Sequence, residues 1–285
     1  MFVTNDVSLI IFVPLTIFMF RNGGKEKFII PVLTLENIAA IRGSLLTPFG
    51  SPQNLYLFSK SGIPAKDFVL TMLPLWIGSA LLLYLFTIFL YRKNLSERIE
   101  CEEERKESSG DKKKRAVHLI LFVSIIATIV TRSPYWPFVT GFVLVALLIF
   151  DRQILLKTDY VLLLTFLCFF VFSSSICGNE KISAFLSKSV AGNEYWWSIL
   201  LSQIISNVPA SIVLQPFSTD LKALLYGLDS AGLCSIIGSL ASVINLRIYS
   251  REYPGKTLDF IKGFQIISII FFAIVVYPQY LLIKM

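Results

Sequence analysis

The sequence is poor in charged residues and carries a single histidine. Asp, Glu, Lys and Arg make up 16% of its 285 residues, where a soluble domain has roughly 25%. The histidine is His118, and the four cysteines, Cys101, Cys168, Cys177 and Cys234, form no CxxC pair. These shortages argue against a histidine-based metal centre, a catalytic triad and a small disulfide scaffold.

Apolar residues take the place of the missing charge. They make up 55% of the chain, with 24 phenylalanines, and the mean hydropathy is +0.70. A membrane-spanning helix needs about 20 such residues. The sequence therefore predicts an all-α polytopic membrane protein, located in the plasma membrane. The apolar segment 7–20 is expected to be too short to cross the membrane comfortably. The expected spans are 68–90, 117–131, 136–150, 160–177 and 258–283, with interrupted spans at 29–47 and 221–247.

The net charge of +7 does not indicate a nucleic-acid-binding face, because the basic residues lie in short loops. Nine of the 26 Lys and Arg residues fall within 91–116. The positive-inside rule therefore predicts a charged cytoplasmic linker there. This linker divides the chain into a partial first repeat, 1–90, and a second repeat, 117–285.

A weak internal repeat relates the two parts. The polar tips Thr4-Asn5-Asp6 and Ser206-Asn207 each precede a short apolar helix, and residues 44–54 align with residues 232–242. Loop charges place the two copies in opposite orientations. Inverted repeats with interrupted helices in matching positions are typical of secondary transporters. In this alignment Thr47 matches Ser235, Gly50 matches Gly238, Ser51 matches Ser239 and Asn54 matches Ser242.

The tips and interruptions offer groups that suit both an anion and a cation. A helix that starts within the membrane presents free N–H groups and a positive dipole end to an anion. Carbonyls and hydroxyls freed at an interruption can hold Na⁺. The alternative is that both segments are ordinary extramembrane turns. The predicted site comprises Thr4, Asn5, Asp6, Thr47, Gly50, Ser51, Asn54, Ser206, Asn207, Pro209, Ser230, Gly232, Ser235, Gly238 and Ser239.

Ionisable residues within spans are functional hypotheses by default. In one interpretation Arg42 binds a substrate carboxylate while Asp6 or Asp229 holds a proton or cation. In the other, Arg42 is neutralised by Asp229 or Glu36. Asp6 and Asp229 are also the only pair available to a membrane enzyme, and neither lies in a catalytic motif, so we expect no enzyme. Glu194, ahead of the second tip, is expected to be solvated.

Three segments carry a family resemblance: TNDVSLIIFVP, TPFGSPQNLYL and SNVPASIVL. They resemble the citrate-transporter-like permeases of the ion-transporter superfamily, which includes divalent anion–sodium symporters and arsenite pumps. The resemblance implies re-entrant hairpins from both faces, a homodimer in the lipid bilayer, and transport of organic di- or tricarboxylates coupled to Na⁺ or H⁺, with no other cofactor. Val208 replaces the threonine typical of the second tip in sodium–dicarboxylate carriers.

Two alternatives accompany this resemblance: an arsenite or inorganic-ion exchanger of the same fold, and a non-transporting remnant. The second follows from an asymmetry between the repeats. Residues 117–206 precede Asn207, whereas four residues precede Asn5. The first repeat is therefore expected to be incomplete, through a misassigned start, a degraded gene or a second chain that supplies the missing helices.

Overall fold

Helices supply the regular secondary structure of the chain wherever it is described. The computed structural model describes residues 4–92, 112–158 and 160–284, and no strand occurs in these ranges. The helices are α1 (Asn5–Asn22), α2 (Ile29–Gly43), α3 (Pro52–Ser61), α4 (Ala65–Tyr91), α5 (Lys112–Thr131), α6 (Trp136–Phe150), α7 (Arg152–Lys157), α8 (Tyr160–Gly178), α9 (Glu180–Val190), α10 (Glu194–Ile205), α11 (Asn207–Leu214), α12 (Leu221–Ala231), α13 (Leu240–Glu252) and α14 (Thr257–Lys284).

Several of these helices are long and apolar enough to cross a membrane. Within the described residues there are five such candidates, or six if α8 and α9, which meet at a 93° bend, form one broken span. The chain is thus an all-α polytopic membrane protein, as the composition predicts. The five are Asn5–Asn22, Glu26–Leu46, Ala65–Tyr91, Lys114–Thr131 and Thr257–Lys284.

One predicted segment differs in the structure. The segment predicted as a short half-helix at 7–20 is an unbroken helix of 18 residues that passes through Pro14. At 1.5 Å per residue it is about 27 Å long, close to the membrane's hydrocarbon thickness. The span predicted to be interrupted at 221–247 does consist of two helices, α12 and α13, with the interruption at residues 232–239.

The chain forms two units, residues 1–101 with 169–285 and residues 102–168. In the second unit α5 packs against α6 across a four-residue turn. The side chain of His118 there approaches Asp151 at 3.8 Å, and the described residues contain no cluster of three metal-ligating side chains. Most of the predicted linker 91–116, with Cys101, lies outside the described residues.

The larger unit is built by an exchange of helices between the repeats. Helix α1, from the first repeat, packs against α13 of the second, and α11 of the second packs against α3 of the first. Helix α14 likewise contacts α2. Apolar side chains from both repeats, including Leu33, Ile38 and Phe264, form one core and are fully buried.

Candidate functional site

The two helix interruptions share one backbone geometry. The first runs from Ser44 to Ser51, between α2 and α3, and the second covers residues 232–239, between α12 and α13. In the first, the Gly50 N–H donates to the Thr47 carbonyl at 3.1 Å. In the second, the Gly238 N–H donates to the Ser235 carbonyl at 3.2 Å. The residues that follow, Ser51 and Ser239, have φ angles of −146° and −147°. The structure thus brings matched residues of the alignment into matched conformations.

Each interruption is bonded to the tip of its own repeat. The Asn5 N–H donates to the Gly50 carbonyl at 3.1 Å, and the Asn207 N–H donates to the Gly238 carbonyl at 3.2 Å. The first N–H groups of a helix have no partner within it. The glycine carbonyl satisfies one of them and holds the start of α1 or α11 against the interruption.

Both glycines are required by close packing. A Cβ on Gly50 would fall well inside van der Waals contact with the Ser44 carbonyl. A Cβ on Gly238 would meet the Ala231 carbonyl in the same way. Gly232 is also closely packed, because a Cβ added there would lie 3.0 Å from the Ser239 Cβ. The turns therefore depend on residues without side chains.

The tips differ in how they begin their helices. Thr4 caps α1, because its hydroxyl accepts from the Val7 N–H at 3.5 Å, and the Asn5 side chain accepts from the Asp6 N–H at 2.9 Å. Ser206 has φ of +70° and its side chain caps nothing in α11. Ser206 precedes α11, but its side chain therefore does not cap the helix, although serine is a good N-cap residue. The left-handed backbone at a non-glycine residue costs about 1–3 kcal/mol. Pro209 lies in the first turn of α11, as expected.

Buried polar side chains join the two repeats. Gln53 Nε2 donates to Asp229 Oδ1 at 2.9 Å, Asn37 Nδ2 to Ser242 Oγ at 3.0 Å, and Asn245 Nδ2 to the Leu33 carbonyl at 2.8 Å. The five side chains in these bonds are all buried. A hydrogen bond is stronger in such an interior than in water. These amides were not among the predicted site residues; their signal in the sequence is an amide within an apolar segment.

The second interruption has additional support from glutamines. Ser235 donates to Gln203 Oε1 at 2.6 Å, and Gln203 Nε2 donates to the Ala231 carbonyl at 3.2 Å. Gln265 of α14 donates to the Cys234 carbonyl at 2.5 Å. Neighbouring helices thus satisfy the backbone groups that the missing helical turns leave free.

Other polar atoms of the tips and interruptions are buried without a hydrogen bond. Within the described residues they include Asp6 Oδ1, Ser51 Oγ, both side-chain polar atoms of Asn54, Ser206 Oγ and Asn207 Oδ1. Buried polar groups in native proteins nearly always have partners. These hydroxyl and amide oxygens are the donor set that a cation such as Na⁺ would accept, and no metal-ligating cluster of another kind accompanies them in the described part of the chain.

The charged residues are held in three different ways. Thr16 donates a short hydrogen bond to one oxygen of Glu36. Asp229 is 1% exposed and accepts from Gln53 through one oxygen. Arg42 is 2% exposed, and none of its nitrogens has a hydrogen bond or a carboxylate within 4.0 Å in the described chain. The predicted neutralisation of Arg42 by a direct pair with Asp229 or Glu36 is therefore absent. Asp6 is partly buried beside the first tip.

Glu194, the first residue of α10, holds the segment that precedes α12. It is 2% exposed, which corrects the expectation of a solvated carboxylate. One oxygen accepts from the Thr219 N–H at 3.0 Å, from the Thr219 hydroxyl at 2.8 Å and from the Asp220 N–H at 3.3 Å. Desolvation raises the pKa of Glu194, but these hydrogen bonds together outweigh it, so the pKa lies below its ordinary value.

Membrane-spanning helices, paired interruptions and buried polar groups at their ends define a polytopic membrane protein with interrupted helices. The chain belongs to the citrate transporter family, whose model matches residues 1–238. It is 31% identical over 250 residues to the uncharacterized transporter MJ0456 of Methanocaldococcus jannaschii, covering 86% of this chain and 66% of that protein. It is also 31% identical over 258 residues to the inner membrane protein YbiR of Escherichia coli, covering 87% of this chain and 65% of that protein. The chain thus spans just under two thirds of the length of each.

Proposed function

We propose that this protein is a secondary active transporter of small anions in the plasma membrane, with organic di- or tricarboxylates as substrates and Na⁺ or H⁺ as the coupling ion. The observation that carries the proposal is the matched pair of tip contacts, Asn5 to Gly50 and Asn207 to Gly238. Two interruptions of one geometry, in halves that loop charges orient oppositely, are what an inverted-repeat carrier requires at its binding site.

The proposed substrate site uses the starts of α1 and α11. The positive dipole ends of these two helices favour a carboxylate. The coupling cation is assigned to the interruptions, where Ser51, Asn54 and Asn207 carry oxygens without hydrogen bonds. In this arrangement the cation offsets part of the substrate's charge. The family resemblance further implies that a homodimer is the working form.

One residue favours protons over sodium as the coupling ion. Val208, at the start of α11, is 6% exposed and has no hydroxyl. The matching position in sodium–dicarboxylate carriers is a threonine. The second tip thus offers one fewer hard oxygen ligand, and Na⁺ prefers such ligands. The same feature suits the alternative, an exchanger of arsenite or another inorganic ion.

Transport by the purified full chain in liposomes tests the proposal. Labelled citrate and succinate are supplied outside, with an inward Na⁺ gradient, an inward H⁺ gradient, or neither. We expect uptake of one of the two anions, driven by one of the two gradients and abolished by the matching ionophore. Arsenite uptake without carboxylate uptake would favour the exchanger, and no uptake of any of the three would refute the proposal.

Paired variants connect the activity to the site. Asn207→Ala is expected to reduce uptake at least about tenfold, because it removes an amide from the start of α11. Asn22→Ala is the matched control, since Asn22 is exposed at the other end of α1. Equal uptake by the two variants would remove the second tip from the proposed site.

A further inference from the structure

Arg42 is a deeply buried cation whose charge is not balanced by a direct contact. Its side chain is 2% exposed, and Nε and both Nη atoms lack hydrogen bonds within the described residues. A guanidinium stays protonated in proteins. Burying such a group without a hydrogen-bonded counter-charge is strongly unfavourable. The nitrogens of Arg42 are therefore available to an anion that binds there.

The position of Arg42 connects it to both interruptions. It is the penultimate residue of α2, and the first interruption starts two residues later. The side chain of the preceding residue, Ile41, reaches the second interruption, since a Cβ on Gly232 would lie 3.3 Å from Ile41 Cδ1. The end of α2 is thus beside both turns of the proposed site.

The groups that act electrostatically on Arg42 each make a hydrogen bond to another residue, although Asp229 Oδ2 makes none in the described chain. They are the carboxylate of Asp229 and the phenol of Tyr195. Gln53 holds one oxygen of Asp229 at 2.9 Å, and the Tyr195 hydroxyl donates to the Val276 carbonyl at 2.9 Å. Asp229 therefore moderates the field of Arg42 from beyond ion-pair distance and leaves the guanidinium fork free.

The internal alignment shows that this charge belongs to one repeat alone. Arg42 matches Ser230, and Ile41 matches Asp229. Ser230 donates to the Tyr226 carbonyl at 2.6 Å and makes a short bond to Gln279. The first repeat thus contributes a fixed cation where the second contributes a hydroxyl that its own helices already satisfy.

We propose that Arg42 is the fixed cation of the transport site: its guanidinium binds a substrate carboxylate directly and supplies the positive charge that a bound sodium ion would otherwise supply. This inference rests on the proposed function as an anion carrier. A guanidinium matches a carboxylate in a bidentate pair. Anion binding then needs no sodium, and Asp229 competes with the substrate for the same charge.

Binding measurements on the purified full chain test this inference. Calorimetric titrations with citrate and with succinate are run in sodium-free choline chloride and then with added NaCl. The wild-type protein is expected to bind one of these anions without sodium, with a Kd that sodium changes less than about twofold. Arg42→Gln is expected to weaken binding at least about tenfold, since it removes a charged hydrogen-bond donor. Arg42→Lys should retain part of the affinity.

Two further variants separate a binding role from a structural one. Arg21→Gln removes an exposed arginine far along α1 and should bind as wild type does. Asp229→Asn removes the competing charge and should tighten sodium-free binding. If Arg42→Gln does not purify as a monodisperse protein, Arg42→Lys and Asp229→Asn decide: weaker binding by Asp229→Asn would overturn the inference.

The remaining outcomes are distinct. Binding by the wild type that requires sodium, or equal affinities of Arg42→Gln and wild type, overturns the role of Arg42 and leaves the anion carrier standing. Binding of neither anion, with or without sodium, overturns the proposed function and the inference together.

Discussion

The two interruptions have the same backbone and different side chains. The Thr47 and Ser235 carbonyls accept from equivalent glycines, Gly50 and Gly238. In contrast, Ile41 and Arg42 of the first repeat match Asp229 and Ser230 of the second. Steric requirements explain the common part, because a turn that brings a glycine against a carbonyl tolerates no side chain. The charges are under no such requirement. The two repeats thus share the backbone geometry of their interruptions and differ in the charged side chains beside them.

The helices before the interruptions also differ in what covers them. Gly227 of α12 lies so close to α10 that a Cβ would be 2.5 Å from the Tyr195 carbonyl and 2.6 Å from Ser198 Cβ. The matching residue of α2, Ala39, is exposed. It lines a groove of about 270 Å³ together with Glu36 and Phe12. The face of α12 at Gly227 is thus covered by α10, whereas the matching face of α2 at Ala39 is exposed.

The largest effects are expected where the repeats agree. Gly50→Ala and Gly238→Ala should each destabilise the protein by more than about 3 kcal/mol, because the new Cβ would overlap a backbone carbonyl. Thermal unfolding in detergent and the yield of monodisperse protein measure this. Gly78→Ala is the control, since no atom lies within 4 Å of its Cβ position. A large loss for one glycine with none for the other would break the equivalence of the two interruptions.

A smaller effect should distinguish the covered helix from the open one. Gly227→Ala is expected to cost about 1–3 kcal/mol, by forcing α10 away from α12. Ala39→Leu, at the matching exposed position, should change the unfolding temperature little. The same thermal measurement compares them. Comparable destabilisation by Ala39→Leu would mean that the face of α2 is covered too.

Glu194 provides a test by pH. Its lowered pKa means that its contribution to stability is complete above the ordinary glutamate value of about 4.3 and is lost as pH falls through the folded-state value. Glu194→Gln should cost about 1 kcal/mol at neutral pH. The unfolding temperature of the wild type should approach that of the variant on acidification below about pH 4. A constant difference across this range would contradict the assignment.

The smallest effect concerns the ends of α1 and α13. Arg21 lies 3.2 Å from Glu252 and 3.3 Å from the Tyr253 hydroxyl, and all three groups reach the surface. Exposed ion pairs contribute little. Arg21→Gln should leave the unfolding temperature unchanged within error at about 0.15 M salt. A clear decrease would show that this contact, rather than the buried amides, holds the two helices together.

The sequence predicted the parts of the site that local pattern determines. Gly50 and Gly238, the serines that follow them and Pro209 all occupy matched or expected positions. Thr4 marks the start of α1 as a cap, but the prediction began the helix at residue 7 and ended it at residue 20, two residues short at each end. The pairing of Gln53 with Asp229 joins residues 176 positions apart, and the isolation of Arg42 depends on which helices surround it. Neither property is written in the spacing of nearby residues.

The exchange of helices between the repeats has a consequence for biogenesis. Helix α1 is synthesised more than 200 residues before its partner α13. Until then Asn37 lacks Ser242, and Leu33 lacks Asn245. The first repeat therefore remains in the bilayer without these two hydrogen bonds until α13 has been made. During this period a nascent membrane protein is exposed to quality-control proteases and insertion chaperones. The contacts that join α1 and α2 to α13 can therefore form only late, after α13 has been made.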